Sequence, residues 1–288
     1  MGEALPGLRR SILYLPGSSE RMMEKASSRG ADVLVLDLED GVHPDVKATA
    51  RDLVRSACGR IDFGGSEVLI RANGLDTPWG EDDLTMIRDA GARGAILPKA
   101  EDPRTVEAVV TRLAGVPLFL MIETARGVLE VEELSVGGVQ GLLFGAADYR
   151  ESMRAGRLPD ELELLYARSR VVHAARASGI EAFDSPWFEY KDLEGLEASA
   201  SRARALGFDG KTAIHPDQVP TINRVFSPTA EEIERARGIV EVMEKAFAEG
   251  RNVATLGREM VEALHLKEAR RVLARSGDRR SFPRGTVP

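Results

Sequence analysis

Eight short apolar runs, spaced along most of the chain, constrain its fold more than any other feature of the sequence. They are Ile12-Leu-Tyr-Leu, Val33-Leu-Val-Leu-Asp-Leu, Val68-Leu-Ile-Arg, Gly94-Ala-Ile-Leu-Pro-Lys, Leu118-Phe-Leu-Met-Ile-Glu, Gly141-Leu-Leu-Phe-Gly, Glu181-Ala-Phe-Asp and Gly210-Lys-Thr-Ala-Ile-His. Their starts are separated by 21, 35, 26, 24, 23, 40 and 29 residues, room in each case for a helix and two short loops. Near-continuous apolar character fits strands buried on both faces, and eight such strand-helix units make a closed (β/α)8 TIM barrel. The competing arrangement is an open doubly wound sheet, whose first turn carries G-x-G-x-x-G. Here that turn reads Leu15-Pro-Gly-Ser-Ser19. The closed barrel is the expected fold.

Helix signals fall between the runs. Asp102 and Pro103 supply an N-cap and an N1 proline, and Val106, Val109, Val110 and Leu113 then recur on one face. After the eighth run, Thr229-Ala-Glu-Glu232 is a capping box opening a long helix, with Ile233, Ala236, Val240, Met243 and Phe247 on one stripe. A further helical stretch is expected from about Arg258 to Arg275. The expected organisation is a barrel catalytic domain over residues 1–226 and a C-terminal helical extension over residues 227–288, packed on its own barrel or on a neighbouring subunit.

Composition excludes several classes. With 43% hydrophobic and 30% charged residues and no bilayer-length apolar run, the chain reads as a globule, neither membrane-spanning nor disordered. The start of the chain shows no secretory hydrophobic region, and Pro6 occupies the place of a myristoylation Ser or Thr, so the expected compartment is the cytoplasm. The net charge of -7 has the wrong sign for coating nucleic acid. From Gly250 onward nine basic residues (Arg251, Arg258, Lys267, Arg270, Arg271, Arg275, Arg279, Arg280, Arg284) outnumber four acidic ones, leaving that tail at +5 and the rest at -12. A solvated helix face is the expectation for it. Cys58 is the single cysteine, which excludes a disulfide within the chain and points to simple packing.

Ala205-Leu-Gly-Phe-Asp-Gly-Lys-Thr212 nearly spells a phosphate-binding P-loop, but position 205 is Ala and the order is helix, turn, strand. It is expected to be a turn. The informative polar residues instead end the apolar runs, where a barrel opens its mouth: Glu39 and Asp40, Arg71 and Asn73, Lys99, Glu123, Asp148, Asp184 and His215. Buried carboxylates converging on one mouth demand cations. Glu123 and Asp148 end the neighbouring fifth and sixth runs and are placed to share one ion. Hard oxygen ligands without Cys or His suit Mg2+ rather than zinc. The alternative is that Glu123 pairs with Lys99 or Arg71 in a structural ion network. Asp184 is expected to be a helix N-cap.

Seven motifs resemble the citrate lyase β-subunit-like family, which includes malyl-CoA and citramalyl-CoA lyases. They are Arg10-Ser-Ile-Leu-Tyr-Leu-Pro-Gly17, Asp37-Leu-Glu-Asp-Gly41, Leu97-Pro-Lys-Ala-Glu101, Ile122-Glu-Thr-Ala-Arg-Gly127, Phe144-Gly-Ala-Ala-Asp-Tyr149, Ala205 through Pro216, and Leu264-His-Leu-Lys-Glu-Ala269. The resemblance runs from about Arg9 to Ser276. It implies a Mg2+-dependent barrel, commonly a homotrimer, whose C-terminal segment helps cover a neighbour's site. It assigns the metal to Glu123 and Asp148, a substrate carboxylate to Arg71, the metal's outer shell to Glu39 and Asp40, and a supporting role to Lys99. The implied chemistry joins or cleaves the carbon–carbon bond between a 2-keto acid (glyoxylate, pyruvate or oxaloacetate) and the acetyl group of a CoA thioester. A citryl-carrier-protein lyase β subunit, a malate synthase or a thioesterase are the variants the same architecture allows. By this resemblance the basic tail acquires a second reading, recognition of CoA phosphates. Two departures stand out: Glu262 occupies the place of a tail Asp that is a candidate proton-transfer group, and residue 147 is Ala where some relatives carry an acid. His215 is expected to play a structural, hydrogen-bonding part.

Overall fold

The computed structural model describes residues 8–276. The expectations for the first residues of the chain and for Asp278, Arg279, Arg280 and Arg284 lie outside the described residues. The chain divides into two compact units, one ending at Phe226 and the other beginning at Ser227.

In the first unit eight parallel strands close on themselves: β1 (Ser11–Pro16), β2 (Val33–Asp37), β3 (Glu67–Arg71), β4 (Gly94–Leu97), β5 (Leu118–Ile122), β6 (Val139–Phe144), β7 (Glu181–Asp184) and β8 (Gly210–Ala213). Closure is set by pairing of β1 with β8, Ser11 opposite Lys211. That pairing excludes the open doubly wound sheet. Helices cover the outside: α1 (Glu20–Glu24), α2 (Lys47–Arg60), α3 (Gly80–Asp89), α4 (Pro103–Leu113), α5 (Ala125–Leu134), α6 (Ala146–Met153), α7 (Leu165–Ser178), α8 (Leu193–Leu206) and α9 (Val219–Phe226). Asp102 caps α4 by accepting from the Arg104 N–H, and Val106, Val109 and Leu113 face inward from it as the sequence pattern required.

Alternation along each strand builds two cores. Ile12, Val33, Val35, Leu69, Ile96, Phe119, Met121, Leu143 and Phe183 fill the barrel, while residues such as Leu34, Ile70 and Leu142 pack outward against the helices. Each fully buried side chain of this size contributes roughly 1.5–3 kcal/mol. At the foot of the barrel Arg9 spans opposite strands, pairing with Glu67 and Glu181 while its guanidinium lies 5.3 Å from the centre of the Phe119 ring.

Two expectations about polar residues are settled by packing. Asp184 is not a helix cap: fully buried, it accepts from Arg168 of α7 and from Lys211 of β8. Glu161 and Ser199 complete this enclosed group. The near-P-loop is α8, Gly207 at its C-cap, and β8. Its lysine, Lys211, is consumed by the buried ion pair. Cys58 is partly buried against the core.

The second unit consists of α10 (Ala230–Ala248), an antiparallel hairpin of β9 (Val253–Leu256) and β10 (Glu259–Glu262), and α11 (Ala263–Arg275). Thr229 and Glu232 form the expected capping box. Two corrections apply. Residues 258–262 are turn and strand rather than helix, so α11 starts at Ala263. The stripe of α10 runs through Ala236, Ile239, Met243 and Ala246, leaving Phe247 41% exposed. Among the described residues no helix is long and apolar enough to cross a membrane.

Candidate active site

Strand register brings the first charged pair together. Asp37 and Arg71 end β2 and β3 as direct neighbours. Arg71 donates from Nε to Asp37 Oδ1 (2.6 Å) and from Nη2 to Oδ2 (2.7 Å), a bidentate pair with both partners buried. Its Nη1 lies 2.9 Å from Glu39 Oε2. Burial works against the guanidinium's charge, and the Asp37 and Glu39 carboxylates beside it more than reverse this, raising its pKa.

The loop after β2 is wound around Asp37. Its Oδ1 accepts from the Glu39 N–H and its Oδ2 from the Gly41 N–H. A Cβ at position 41 would stand 2.5 Å from Oδ2, which is why glycine follows the acids of Asp37-Leu-Glu-Asp-Gly41. Lys47 clamps the same loop by donating to the carbonyls of Leu38 and Glu39, both at 2.7 Å. Asn73 donates to the Leu38 carbonyl and to Asp83, a loop-tying role.

Glu39 bridges the cations, with Oε1 accepting from Lys99 Nζ at 3.1 Å. Lys99 stands two residues beyond β4 with φ 47°, a left-handed conformation rare outside glycine. In that pose its backbone N–H donates to Glu123 Oε1 at 2.8 Å. Burial opposes the Lys99 charge, and Glu39 restores and raises its pKa.

Glu123 directly follows β5 and is 2% exposed. Burial pushes its carboxyl up to about 7; the Lys99 N–H acts against this, and the carboxylates of Asp148 and Glu39 add to it. The ion pairs foreseen for Glu123 fall to Glu39 instead: among the described residues Glu123 meets Lys99 only through its backbone N–H, while Arg71 and Lys99 pair with Glu39. Asp148 does not end a strand: β6 stops at Phe144, and Asp148 lies in the first turn of α6, half-buried. It still acts electrostatically on both Glu123 and Lys99. Between them stands Gly145, where a Cβ would lie 2.5 Å from both Cβ and Oε2 of Glu123. The close approach of α6 to Glu123 thus requires glycine.

Tyr14 of β1 underlies the pair. Its ring centre is 5.0 Å from the Arg71 guanidinium, and burial raises its pKa so that the phenol stays protonated. Asp40 is exposed at the rim. A cavity of about 1060 Å3 opens from Glu39, Asp40 and Lys99 across the loops after β2, β3 and β4. His215 lies two residues past β8; its Nδ1 accepts from the Asp217 N–H and its ring stacks on Tyr190, the structural part expected of it. Glu262 belongs to the second unit, where its N–H donates to His265 Nδ1.

The sequence reading thus brought Glu39, Arg71, Lys99, Glu123 and Asp148 into one electrostatic cluster but passed over Asp37 and Tyr14. Asp37 was legible: it is the charged end of an otherwise apolar run, on the strand next to Arg71.

The cluster suits a hard divalent cation. Five carboxylates (Asp37, Glu39, Asp40, Glu123, Asp148) face three cations (Lys47, Arg71, Lys99), and Glu123, whose carboxyl burial pushes up, has a single hydrogen bond among the described residues. No group of three or more His, Cys, Asp or Glu forms a metal cage among the described residues. Glu123 and Asp148 fit Mg2+, which takes one or two carboxylates and fills its remaining positions with water and substrate.

Known proteins resemble the chain over most of its length. Residues 10–216 match the HpcH/HpaI aldolase/citrate lyase family, and residues 164–277 match the C-C bond lyases of the TIM-barrel fold. The (3S)-malyl-CoA thioesterase of Cereibacter sphaeroides is 39% identical over 268 residues, 93% of this chain and 94% of that protein. The citrate lyase subunit beta of Leuconostoc mesenteroides subsp. cremoris is 36% identical, covering 92% of each chain. Among solved structures, CitE from Mycobacterium tuberculosis in complex with magnesium, acetoacetate and coenzyme A superposes with a TM-score of 0.77 at 30% identity, covering 93% of this chain and 98% of that one. The chain therefore belongs to the HpcH/HpaI aldolase/citrate lyase family, in line with the resemblance of its seven motifs.

Proposed function

We propose that the protein is a Mg2+-dependent carbon–carbon lyase that cleaves a 3-hydroxyacyl-CoA thioester of the malyl, citramalyl or citryl kind into acetyl-CoA and a 2-keto acid. The observation that carries this reading is the juxtaposition of the Glu123 and Asp148 carboxylates with a rigidly paired arginine in the mouth of a barrel of this family. Glu123 and Asp148 would hold the metal. When bound, Mg2+ supplies Lewis-acid polarisation of the substrate's hydroxyl or keto oxygen.

The remaining work belongs to the chain's own groups. Asp37 fixes the Arg71 guanidinium by two bonds, so its charge is aimed before substrate arrives and no reorganisation is needed as negative charge develops. Glu39 holds Lys99 and Arg71 a fixed distance apart and exchanges partners when a substrate carboxylate enters. In the cleavage direction the hydroxyl proton leaves, the bond to the thioester's α-carbon breaks, and that carbon is reprotonated to give the acetyl group. Glu262 is the proposed carrier of a proton in this sequence, retaining a carboxylate one methylene longer than the family's Asp.

A second reading, a thioesterase that hydrolyses malyl-CoA, is favoured by the names of relatives 38–39% identical to the chain. A panel of malyl-, citramalyl- and citryl-CoA, assayed for 2-keto acid and for free CoA with and without EDTA, tests both. Metal-dependent release of 2-keto acid is expected. Free CoA with intact malate indicates the thioesterase, and turnover insensitive to EDTA refutes the metal-dependent mechanism. Activity confined to citryl on a carrier protein would place the chain as a citrate lyase β subunit.

A further inference from the structure

Tyr14 is a polar group in the site without a polar partner. Its side chain points into the barrel and packs on the inner core, yet it remains half-buried rather than sealed. The one hydrogen bond of its hydroxyl among the described residues goes to Met121 Sδ at 3.7 Å. A thioether is a weak acceptor, whereas an interior phenol ordinarily finds an oxygen.

The neighbouring cations are in the opposite condition. Arg71 has Nε and Nη2 on Asp37 and Nη1 on Glu39, with Met121 Sδ also 3.5 Å from Nη1, and Lys99 holds Glu39 as well. Asp37 cannot readily leave, because two backbone N–H groups also bind it. An oxygen arriving beside Arg71 can draw on Nη1 and on Lys99 only by displacing Glu39, whereas the phenol under the guanidinium, placed by the 5.0 Å ring contact, gives up no more than a thioether.

We propose that Tyr14 is a substrate-binding residue whose hydroxyl exchanges the Met121 thioether for a carboxylate oxygen of the 2-keto acid, while its ring serves as the shelf that keeps Arg71 in place. The proposal rests on the lyase reading above and adds a donor to that site. Its two parts are separable, since Tyr14→Phe keeps the shelf and deletes the donor, whereas Tyr14→Leu removes both.

The test uses the full chain with Mg2+ and calorimetric titration of pyruvate, glyoxylate and oxaloacetate. Tyr14→Phe should melt at the wild-type temperature and bind the preferred acid about tenfold more weakly, the equivalent of one good hydrogen bond. With the thioester substrate its KM should rise while kcat changes little, because the contact is made in ground and transition states alike. Tyr14→Leu should lose kcat as well. Unchanged affinity and KM in Tyr14→Phe, against a wild type that turns over normally, overturn the role of Tyr14 alone. A wild type that binds none of the three acids overturns this proposal together with the reading beneath it.

Discussion

Replacing Asp37 by asparagine changes one atom and tests the central pair of the site. Oδ1 of Asp37 accepts from Arg71 Nε at 2.6 Å and from the Glu39 N–H at 2.9 Å; Oδ2 accepts from Arg71 Nη2 at 2.7 Å and from the Gly41 N–H at 2.8 Å. An amide has one acceptor oxygen, so whichever way it flips, one charged and one neutral bond become donor facing donor. A charge-assisted bond is worth about 1.5–3 kcal/mol and a neutral one about 0.5–1.5 kcal/mol, which together give a loss of about 3 kcal/mol. Glu39 still neutralises Arg71 in part, so the chain should fold. Urea unfolding should show a lower midpoint at unchanged slope. With the guanidinium released from one of its two anchors, kcat/KM should fall about 100-fold. Arg71→Met should be less damaging in the Asp37→Asn background than in wild type, by about 1–3 kcal/mol, since the two residues act as a unit. A stability change below about 0.5 kcal/mol, smaller than one neutral hydrogen bond, together with near-normal activity, would show that Asp37 does not hold Arg71.

Three further predictions follow from other parts of the molecule. Glu123→Gln and Asp148→Asn should each weaken Mg2+ binding by about tenfold or more in calorimetry; because burial makes ionised Glu123 unfavourable, Glu123→Gln should at the same time stabilise the metal-free protein at pH 8 against urea. Gly145→Ala forces a methyl to within 2.5 Å of Glu123, and should lower stability by about 1–3 kcal/mol and reduce Mg2+ affinity, with normal affinity ruling out the close approach as a requirement. Burial pushes the Glu161 carboxyl up, and Arg168 and Lys211 more than reverse it, holding it at about 2. Such a depressed group adds stability above its unfolded value of 4.5 that is lost as pH falls toward 2, about 3 kcal/mol in all, so Glu161→Gln should flatten the stability curve in that window.

The barrel was legible because a parallel strand buried on both faces has no polar alternation to obscure it: Val33–Asp37 and Leu118–Ile122 announce themselves. The hairpin of the second unit was not. Val253–Leu256 and Glu259–Glu262 are four residues each, and only Ala254 and Val261 among them are buried, too short a pattern to separate from a helix turn. Asp148 was placed at a strand end because sequence does not mark that β6 stops at Phe144 and a helix begins two residues later. Asp184 was misjudged for a related reason: a carboxylate at the end of an apolar run looks the same whether it caps a helix or meets Arg168 and Lys211 from elsewhere in the chain. Asp37 was overlooked in favour of the two acids after it, although its strand register with Arg71 is what makes the site rigid.

Lys99 binds a different carboxylate at each end, Glu123 through its amide and Glu39 through its ammonium, and does so in a backbone pose that disfavours a β-carbon by roughly 1–2 kcal/mol. Glycine there would relax the main chain and still offer the amide to Glu123, but it would leave Glu39 without its second cation. Selection for heat tolerance and selection for turnover therefore pull in opposite directions at residue 99. A library screened only for thermal survival should accumulate glycine at this position and, on the lyase reading, lose turnover with the cation that Glu39 holds there.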